Sequence, residues 1–226
     1  MLRLGVAANF VRPMERLSYI FEKNTSTNIE TTYASTGKLY AMIINGAPID
    51  FFLAADEKRP LRLFKNGLAE RPVVYARGRV VLWTPKGSRP CKVKHVVWQT
   101  LLERNEIKAI AIASPMSVPY GEAALKALKA AGILGKIRSK LVFAQSIAQA
   151  FQYAHMGVVD CGFVALSDAL SENSCLGCRW TIPEAPLVVQ AACILKRSHS
   201  KRDARAFLDF LNSPQARSIM KGFGYE

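Results

Sequence analysis

Four short segments offer neutral hydrogen-bonding groups where an anion could bind. They are Ala8-Asn9-Phe10, Ser35-Thr36-Gly37, Val118-Pro119-Tyr120-Gly121 and Gln145-Ser146-Ile147. Each follows a strand-like run and opens a helix-like run, so its first main-chain N–H groups have no helical acceptor. Such N–H groups and the helix dipole together favour negative charge. One segment of this kind is usually only a helix cap, but four of them predict an anion site.

Alternating strand-like and helix-like runs must position these segments. The apolar run that begins at Leu2 is followed by helical spacing, and the same alternation recurs along the chain. This order predicts an α/β fold with largely parallel sheets flanked by helices. Two long β-rich runs, near 73–84 and 186–195, separate an outer pair of segments from a middle insert. The predicted organisation is therefore two lobes, 1–79 plus 192–226 and 80–191, joined by two crossover strands.

Catalytic motifs are absent from the sequence. It has neither the G-x-G-x-x-G nor the G-x-S-x-G pattern, and nothing pairs a nucleophile with a base. The run from Ser35 to Leu39 resembles the end of a phosphate-binding P-loop. However, Thr32 stands where its first glycine belongs, and Leu39 stands where Ser or Thr must hold magnesium. We therefore expect a binding protein without a cofactor and not an enzyme.

The chain is strongly basic but has no nucleic-acid-binding pattern. Its 226 residues carry a formal net charge of +14, and 50% of them are hydrophobic. The Lys and Arg residues are dispersed, and no aromatic residues alternate with them to form a stacking platform. The charge is thus consistent with attraction of a small anion, and we expect no nucleic-acid partner. No stretch reaches the roughly 18 uninterrupted apolar residues of a membrane span.

The five cysteines leave at least one thiol without an intramolecular partner. Cys161 and Cys193 lie in apolar strand-like runs, which predicts buried thiols. Cys175 and Cys178 form a C-x-x-C. The three histidines of the chain include no pair spaced three or four residues apart that could complete a structural zinc site. Two interpretations of this pair remain open: a loop disulfide in an oxidising compartment, or two free thiols.

Seven segments make the sequence resemble the periplasmic molybdate-binding proteins of ABC importers. In chain order these segments are Val6–Phe10, Ala34–Gly37, Gly46–Lys58, Arg77–Trp83, Ile112–Gly121, Gly162–Leu166 and Phe207–Pro214. The most specific is Gly46–Lys58, which reads GAPIDFFLAADEK. Because the resemblance spans essentially the whole chain, it applies to the fold as well as to the site.

The resemblance implies a fold, a ligand and a partner. The fold would be the type II periplasmic-binding-protein fold, with the oxyanion in the cleft between lobes. The ligand would be molybdate or tungstate, a metal bound as its oxyanion with no protein side chain as a direct metal ligand. The partner would be the membrane permease of an ABC transporter, and the protein would act as a monomer. Carried over position by position, Ala8, Asn9 and Thr36 would bind from one lobe, and Tyr120 and the Ile147 N–H from the other.

The sequence departs from the commoner family pattern at three positions of the site. Many members have Ser where this chain has Asn9, Ala where it has Tyr120, and Tyr where it has Ala165. We infer that Tyr120 supplies, from another loop, the hydroxyl that is lost at Ala165. The expected site is thus a variant of the family pattern.

Two alternatives to this function remain. The same fold could bind sulfate, phosphate or chromate. A cytosolic oxyanion-sensing domain is the other alternative, because no signal peptide is visible from Met1 onward. We favour a sequence that begins near a mature N-terminus, and hence a periplasmic or an extracellular, membrane-anchored location.

Overall fold

The computed structural model describes residues 1–93, 95–171 and 177–226. The chain divides into two compact units. The first unit comprises Met1–Gly78 and Val189–Glu226, and the second comprises Arg79–Val188. The chain therefore passes from one unit to the other twice. No helix among the described residues is long and apolar enough to cross a membrane.

Strands and helices alternate through most of the chain. The strands are β1 Leu2–Ala7, β2 Ile29–Ala34, β3 Phe51–Leu53, β4 Val73–Gly78, β5 Val80–Thr84, β6 Ile110–Ala113, β7 Leu141–Ala144, β8 Cys161–Ala165, β9 Cys178–Thr181 and β10 Val188–Ile194. The α-helices are α1 Val11–Asn24, α2 Thr36–Ile44, α3 Lys58–Lys65, α4 Trp98–Glu103, α5 Pro119–Ala130, α6 Leu134–Ile137, α7 Ile147–His155, α8 Leu166–Ala169, α9 Lys201–Leu211 and α10 Pro214–Gly222. Short 3₁₀ turns cover Ala8–Phe10, Pro90–Lys92 and Arg138–Lys140.

The first unit is built on a five-stranded sheet in the order β2-β1-β3-β10-β4. Strand β1, the second in this order, pairs in parallel with β2 and with β3, whereas β10 pairs antiparallel with β3. Helix α1 packs onto this sheet through Met14, Leu17 and Phe21, which recur at helical spacing on one face and are buried. Phe207 and Met220, from the last two helices, complete the same core.

The second unit repeats this arrangement with different strands. Its sheet has the order β7-β6-β8-β5-β9. Here β6 is the strand that pairs in parallel with both β7 and β8, and β5 pairs antiparallel with β8 and with β9. Strand β6 thus takes the position of β1, and β7 takes that of β2. Helix α7 covers one face of the sheet through Ala150 and Ala154.

The predicted α/β fold is confirmed, with one difference in the sheets. Both sheets are mixed, because the strands that enter each unit at a crossover run antiparallel to their neighbours. The predicted run 73–84 is two strands, β4 in the first sheet and β5 in the second, which meet where the chain changes unit. Helix α4 begins at Trp98, after the 3₁₀ turn Pro90–Lys92.

Cys178 pairs with Cys91 in a disulfide, which corrects both interpretations of the C-x-x-C segment. Cys178 begins β9, which the sequence did not predict, and Cys91 lies in the 3₁₀ turn, with the two Cα atoms 5.4 Å apart. A disulfide requires this proximity, and no local spacing could reveal a partner 87 residues away. Cys175 lies outside the described residues. The predicted burial of Cys161 and Cys193 as free thiols is confirmed.

Candidate functional site

In the first unit, two of the predicted junctions lie side by side. Strands β1 and β2 end at paired positions, because Ala7 is in register with Ala34. Ala8 and Asn9 leave the end of β1, and Thr36 starts the helix that follows β2. The carboxyl ends of neighbouring parallel strands are where α/β sheets bind ligands. The structure therefore brings together the three site residues predicted for this unit.

The Thr36 hydroxyl is oriented by the end of a third strand. Its Oγ1 accepts a hydrogen bond from the main-chain N–H of Ala55 at 3.1 Å, just beyond β3. Ser35, the residue before it, is the N-cap of α2 and accepts from the Lys38 N–H at 3.4 Å. The serine hydroxyl therefore serves the helix. The threonine hydroxyl accepts from the protein and can donate its own hydrogen to an anion.

Asn9 is held by hydrogen bonds within the first unit. Its side-chain nitrogen Nδ2 donates to Gln190 Oε1 at 2.9 Å and to the Tyr225 hydroxyl at 3.0 Å. The same Tyr225 hydroxyl donates to the main-chain oxygen of Asn9 at 2.8 Å. Only 2% of the Asn9 surface is exposed, so this polar group is buried with its partners.

Three residues of this hydrogen-bond network were missed by sequence reasoning. Gln190 lies in β10 and is 0% exposed, and Tyr225 follows α10. Tyr75 lies in β4, and its hydroxyl donates to Gln190 Oε1 at 3.0 Å. One signal existed for Gln190, which is the only polar residue in the apolar run from Leu187 to Leu195. A buried amide in such a run must have hydrogen-bond partners. Nothing local marked either tyrosine.

In the second unit, the other two junctions also follow neighbouring strands. Ala113 at the end of β6 is in register with Ala144 at the end of β7. The main-chain N–H of Ser114 donates to the Ala144 carbonyl at 2.8 Å, which continues this pairing into the junction. Tyr120 lies in the first turn of α5, and Ile147 is the first residue of α7. Both predicted residues of this unit thus follow the parallel half of its sheet.

The start of α7 presents main-chain donors. Ser146 is its N-cap and accepts from the Gln149 N–H at 3.1 Å. The Gln149 side chain in turn accepts from the Gln145 N–H at 2.7 Å. These two bonds engage the N–H groups two residues before and two residues after Ile147. The Ile147 N–H belongs to the first turn, where the helix itself supplies no acceptor.

The start of α5 is fixed by close packing on β6. Pro119 occupies the first helical position, where its missing N–H costs nothing. A Cβ at Gly121 would collide with the carbonyl group of Ala113, so only glycine lets the helix approach the strand this closely. Tyr120 between them is buried, with 1% exposed surface. At the end of β8, Ala165 is buried as well. The transfer of the phenol to position 120 stays a prediction.

The remaining reactive side chains form no second chemical centre among the described residues. No group of three or more His, Cys, Asp or Glu side chains in this part of the chain could hold a metal ion. Burial raises the pKa of the Cys193 thiol to about 12 and raises the pKa of Cys161 well above its ordinary value. Both thiols therefore stay protonated and are poor nucleophiles.

Comparison with known proteins relates the whole chain to binding proteins of bacterial importers. A family model described as "Bacterial extracellular solute-binding protein" matches residues 2–226. The molybdate-binding protein ModA of Azotobacter vinelandii is 37% identical over 99% of this chain and 89% of its own length. ModA of Rhodobacter capsulatus is 34% identical over 98% of this chain and 86% of its own.

A solved structure gives the same result at the level of the fold. The periplasmic molybdate-binding protein of Azotobacter vinelandii superposes with a TM-score of 0.92 at 33% identity. The match covers 100% of this chain and 99% of that one. These relatives are binding proteins and not enzymes, and their similarity is not confined to the segments that form the junctions.

Proposed function

Because this chain belongs to the bacterial extracellular solute-binding protein family, we propose that it binds molybdate or tungstate outside the cytoplasm and delivers the anion to an ABC importer. The observation that carries this proposal is full-length similarity, above 30% identity, to the molybdate-binding proteins of two organisms. The four helix-start junctions support it, because they offer neutral donors to an anion.

The two compact units would be the two ligand-binding lobes. Ala8, Asn9 and Thr36 would serve from the first lobe, and Tyr120 and Ile147 would serve from the second. Each set follows the parallel half of its own sheet. We assign the lobe boundaries from the units, at Gly78 and at Val188, which differ slightly from those expected from sequence.

Neutral donors suit a receptor that must also release its ligand. Hydrogen bonds to a charged group contribute about 1.5–3 kcal/mol each. Roughly five to seven of them would exceed the about 8–12 kcal/mol of a micromolar-to-nanomolar complex. Desolvation of the dianion and closure of the lobes would offset the surplus. No buried Lys or Arg is then required as a counter-charge.

Selection among oxyanions would rest on size and on protonation. Molybdate, tungstate and sulfate all accept hydrogen bonds, so the volume of the cavity must discriminate against the smaller sulfate. Phosphate carries a proton near neutral pH and needs an acceptor. None of the five proposed positions carries a carboxylate. The Asn9 amide oxygen is the only side-chain carbonyl among them.

The Cys91–Cys178 disulfide supports a location outside the cytoplasm. Disulfides persist in oxidising compartments such as the periplasm and are rare in the cytosol. This pairing favours the extracytoplasmic receptor over a cytosolic oxyanion sensor. The partners of such a receptor are the oxyanion and the permease of the importer, and we propose that the protein acts as a monomer without nucleic acid.

Isothermal titration calorimetry with a panel of anions tests the ligand. We expect molybdate and tungstate to bind with micromolar or tighter affinity, and sulfate, phosphate and chromate to bind at least about 100-fold more weakly, a difference of about 2.7 kcal/mol. Tight binding of sulfate would show that the ligand is sulfate and not molybdate. Absence of binding by every anion in the panel would refute the function.

The Tyr120→Phe variant tests the transferred phenol. Loss of one hydrogen bond to a charged ligand should weaken molybdate binding by about 10- to 150-fold. Tyr153→Phe, in α7 of the same unit, is the matched control. Equal affinity of Tyr120→Phe and the wild-type protein would show that the phenol does not contact the anion.

A further inference from the structure

We propose that Tyr225, Gln190 and Tyr75 are positioning residues that hold Asn9 and its turn in the anion-binding conformation. This inference rests on the function proposed above. None of the three residues belongs to the five proposed binding positions. They act through Asn9, to which Tyr225 and Gln190 are bonded directly and Tyr75 through Gln190.

Tyr225 clamps both the main chain and the side chain of Asn9. Its hydroxyl donates to the Asn9 carbonyl oxygen at 2.8 Å and accepts from Asn9 Nδ2 at 3.0 Å. One phenol thereby closes a small hydrogen-bonded ring on a single residue. Because a peptide group is planar and trans, a fixed Asn9 carbonyl also fixes the direction of the Phe10 N–H. The clamp thus sets the backbone of the turn as well as the rotamer of Asn9.

Gln190 accepts the second hydrogen bond that the Asn9 side-chain amide donates. Its Oε1 accepts from Asn9 Nδ2 at 2.9 Å and from the Tyr75 hydroxyl at 3.0 Å. Two donors on one oxygen define the orientation of the Gln190 amide. Burial, and to a lesser extent the neighbouring Tyr225 and Asp56, raise the pKa of Tyr75 well above its ordinary value. Tyr75 therefore stays protonated and keeps donating to Gln190.

Aromatic packing keeps the two tyrosines in place around the turn. The Phe10 ring makes edge contacts with Tyr75 and with Tyr225, each with ring centroids 5.1 Å apart. Phe10 is fully buried and directly follows Asn9. A Tyr→Phe substitution at either position retains these ring contacts and removes only the hydroxyl. The hydrogen-bonding role can thus be tested apart from the packing.

The network changes the role expected for Asn9. Both hydrogens of its amide are engaged inside the first unit, with Gln190 and Tyr225. The Asn9 amide nitrogen therefore acts by fixing the turn, and other atoms of the Ala8–Asn9 turn, foremost its main-chain N–H groups, face the anion. A serine, the commoner family residue here, is too short to reach both partners in this way.

The same residues link the turn to both chain crossovers. Tyr75 lies three residues before the crossover at Gly78, and Gln190 lies two residues after the crossover at Val188. A shift of β4 or β10 near its crossover would therefore be transmitted to Asn9 through one or two hydrogen bonds.

The decisive experiment compares three Tyr→Phe variants of the full chain by molybdate calorimetry and by thermal unfolding without ligand. We expect Tyr225→Phe to raise the dissociation constant at least about tenfold, and Tyr75→Phe to raise it by a smaller factor. Tyr19→Phe, at an exposed position of α1, should have no effect. Gln190→Met provides a second disruption of the network if Tyr225→Phe does not fold. It should likewise weaken binding about tenfold.

The outcomes separate positioning from stability and from the function itself. A purely structural role would lower the unfolding temperature of Tyr225→Phe without changing the dissociation constant, and that result would overturn the inference alone. Slow solvent exchange of the Asn9 side-chain amide protons, measured by NMR in the wild type and lost in Tyr225→Phe, would support the clamp. A wild-type protein that binds no oxyanion would overturn both the proposed function and this inference.

Discussion

The hydroxyl of Thr36 illustrates how a single residue can be prepared for an anion without carrying charge. Its oxygen accepts the Ala55 N–H, so the direction of its hydrogen is restricted before any ligand arrives. Thr36 is also buried, with 1% of its surface exposed. A restricted, desolvated donor loses little entropy on binding, which strengthens its net contribution.

Removal of this hydroxyl should weaken anion binding strongly. We expect Thr36→Val to raise the molybdate dissociation constant by about 10- to 150-fold, which corresponds to about 1.5–3 kcal/mol, as measured by calorimetry. Thr36→Ser keeps the hydroxyl and should bind within a few-fold of the wild type. Thr32→Val, at an exposed position of β2, controls for the loss of a threonine. If Thr36→Val and the wild type bind equally well, Thr36 is not a ligand-binding residue.

At the residue scale, the sequence was sufficient to propose binding positions and insufficient to reveal the residues that support them. Asn9 and Thr36 could be proposed because they follow strand-like runs and because the family resemblance carries over to their positions. Tyr225 could not be identified, because its partner is 216 positions away and the tyrosine has no marking pattern around it. The burial of Cys161 was predictable from its apolar run, whereas the partner of Cys178 was not.

At the scale of elements, three of the four predicted junctions have a specific local device that fixes the start of the helix. Ser35 and Ser146 cap α2 and α7, and the glycine at position 121 lets α5 lie directly on β6. The sequence predicted these starts from the change of strand-like runs into helix-like runs. It did not predict β9, a short strand of alternating burial that joins its sheet only through pairing with β5.

The disulfide between the 3₁₀ turn and β9 should stabilise the second unit. Removing a disulfide that closes a loop of this length typically costs about 2–4 kcal/mol. We expect Cys91→Ser/Cys178→Ser to lower the free energy of unfolding by about that amount, as measured by denaturant titration. Molybdate binding should persist under conditions in which the variant is folded, because neither cysteine is one of the five proposed binding positions.

Peptide mapping under non-reducing conditions checks the pairing itself. The expected product links the peptide of Cys91 to that of Cys178, and Cys175→Ser should leave this product unchanged. A peptide in which Cys175 and Cys178 are bonded would contradict the pairing and would restore the loop disulfide that the sequence suggested.

At the scale of the whole molecule, the two units use one sheet arrangement twice. In each, a strand with two parallel neighbours, second from one edge of the sheet, leads into a predicted binding segment. This strand is β1 in the first unit and β6 in the second. The chain passes from the first unit to the second between β4 and β5 and returns at the start of β10. We expect any hinge motion to be absorbed at a few backbone positions near these two crossovers.

We expect molybdate to bring the two units closer together. If donors from both units bind the anion, as proposed, the anion favours the closed state by its differential affinity for that state. Small-angle X-ray scattering should show a decrease in the radius of gyration on addition of molybdate, and no change with chloride at equal ionic strength. An unchanged radius of gyration at saturating molybdate would indicate that binding does not require closure.

The sequence by itself determined most of the order of strands and helices, the positions of the four junctions and the burial of two thiols. These features depend on residue type and on spacings within one element, where local propensity and hydrophobic periodicity dominate. The tertiary structure alone decided which strands are neighbours, which cysteine Cys178 bonds to, and which side chains hold Asn9. The cysteine partners and the partners of Asn9 are between 87 and 216 residues apart along the chain, so only packing of the complete fold brings them within bonding or hydrogen-bonding distance.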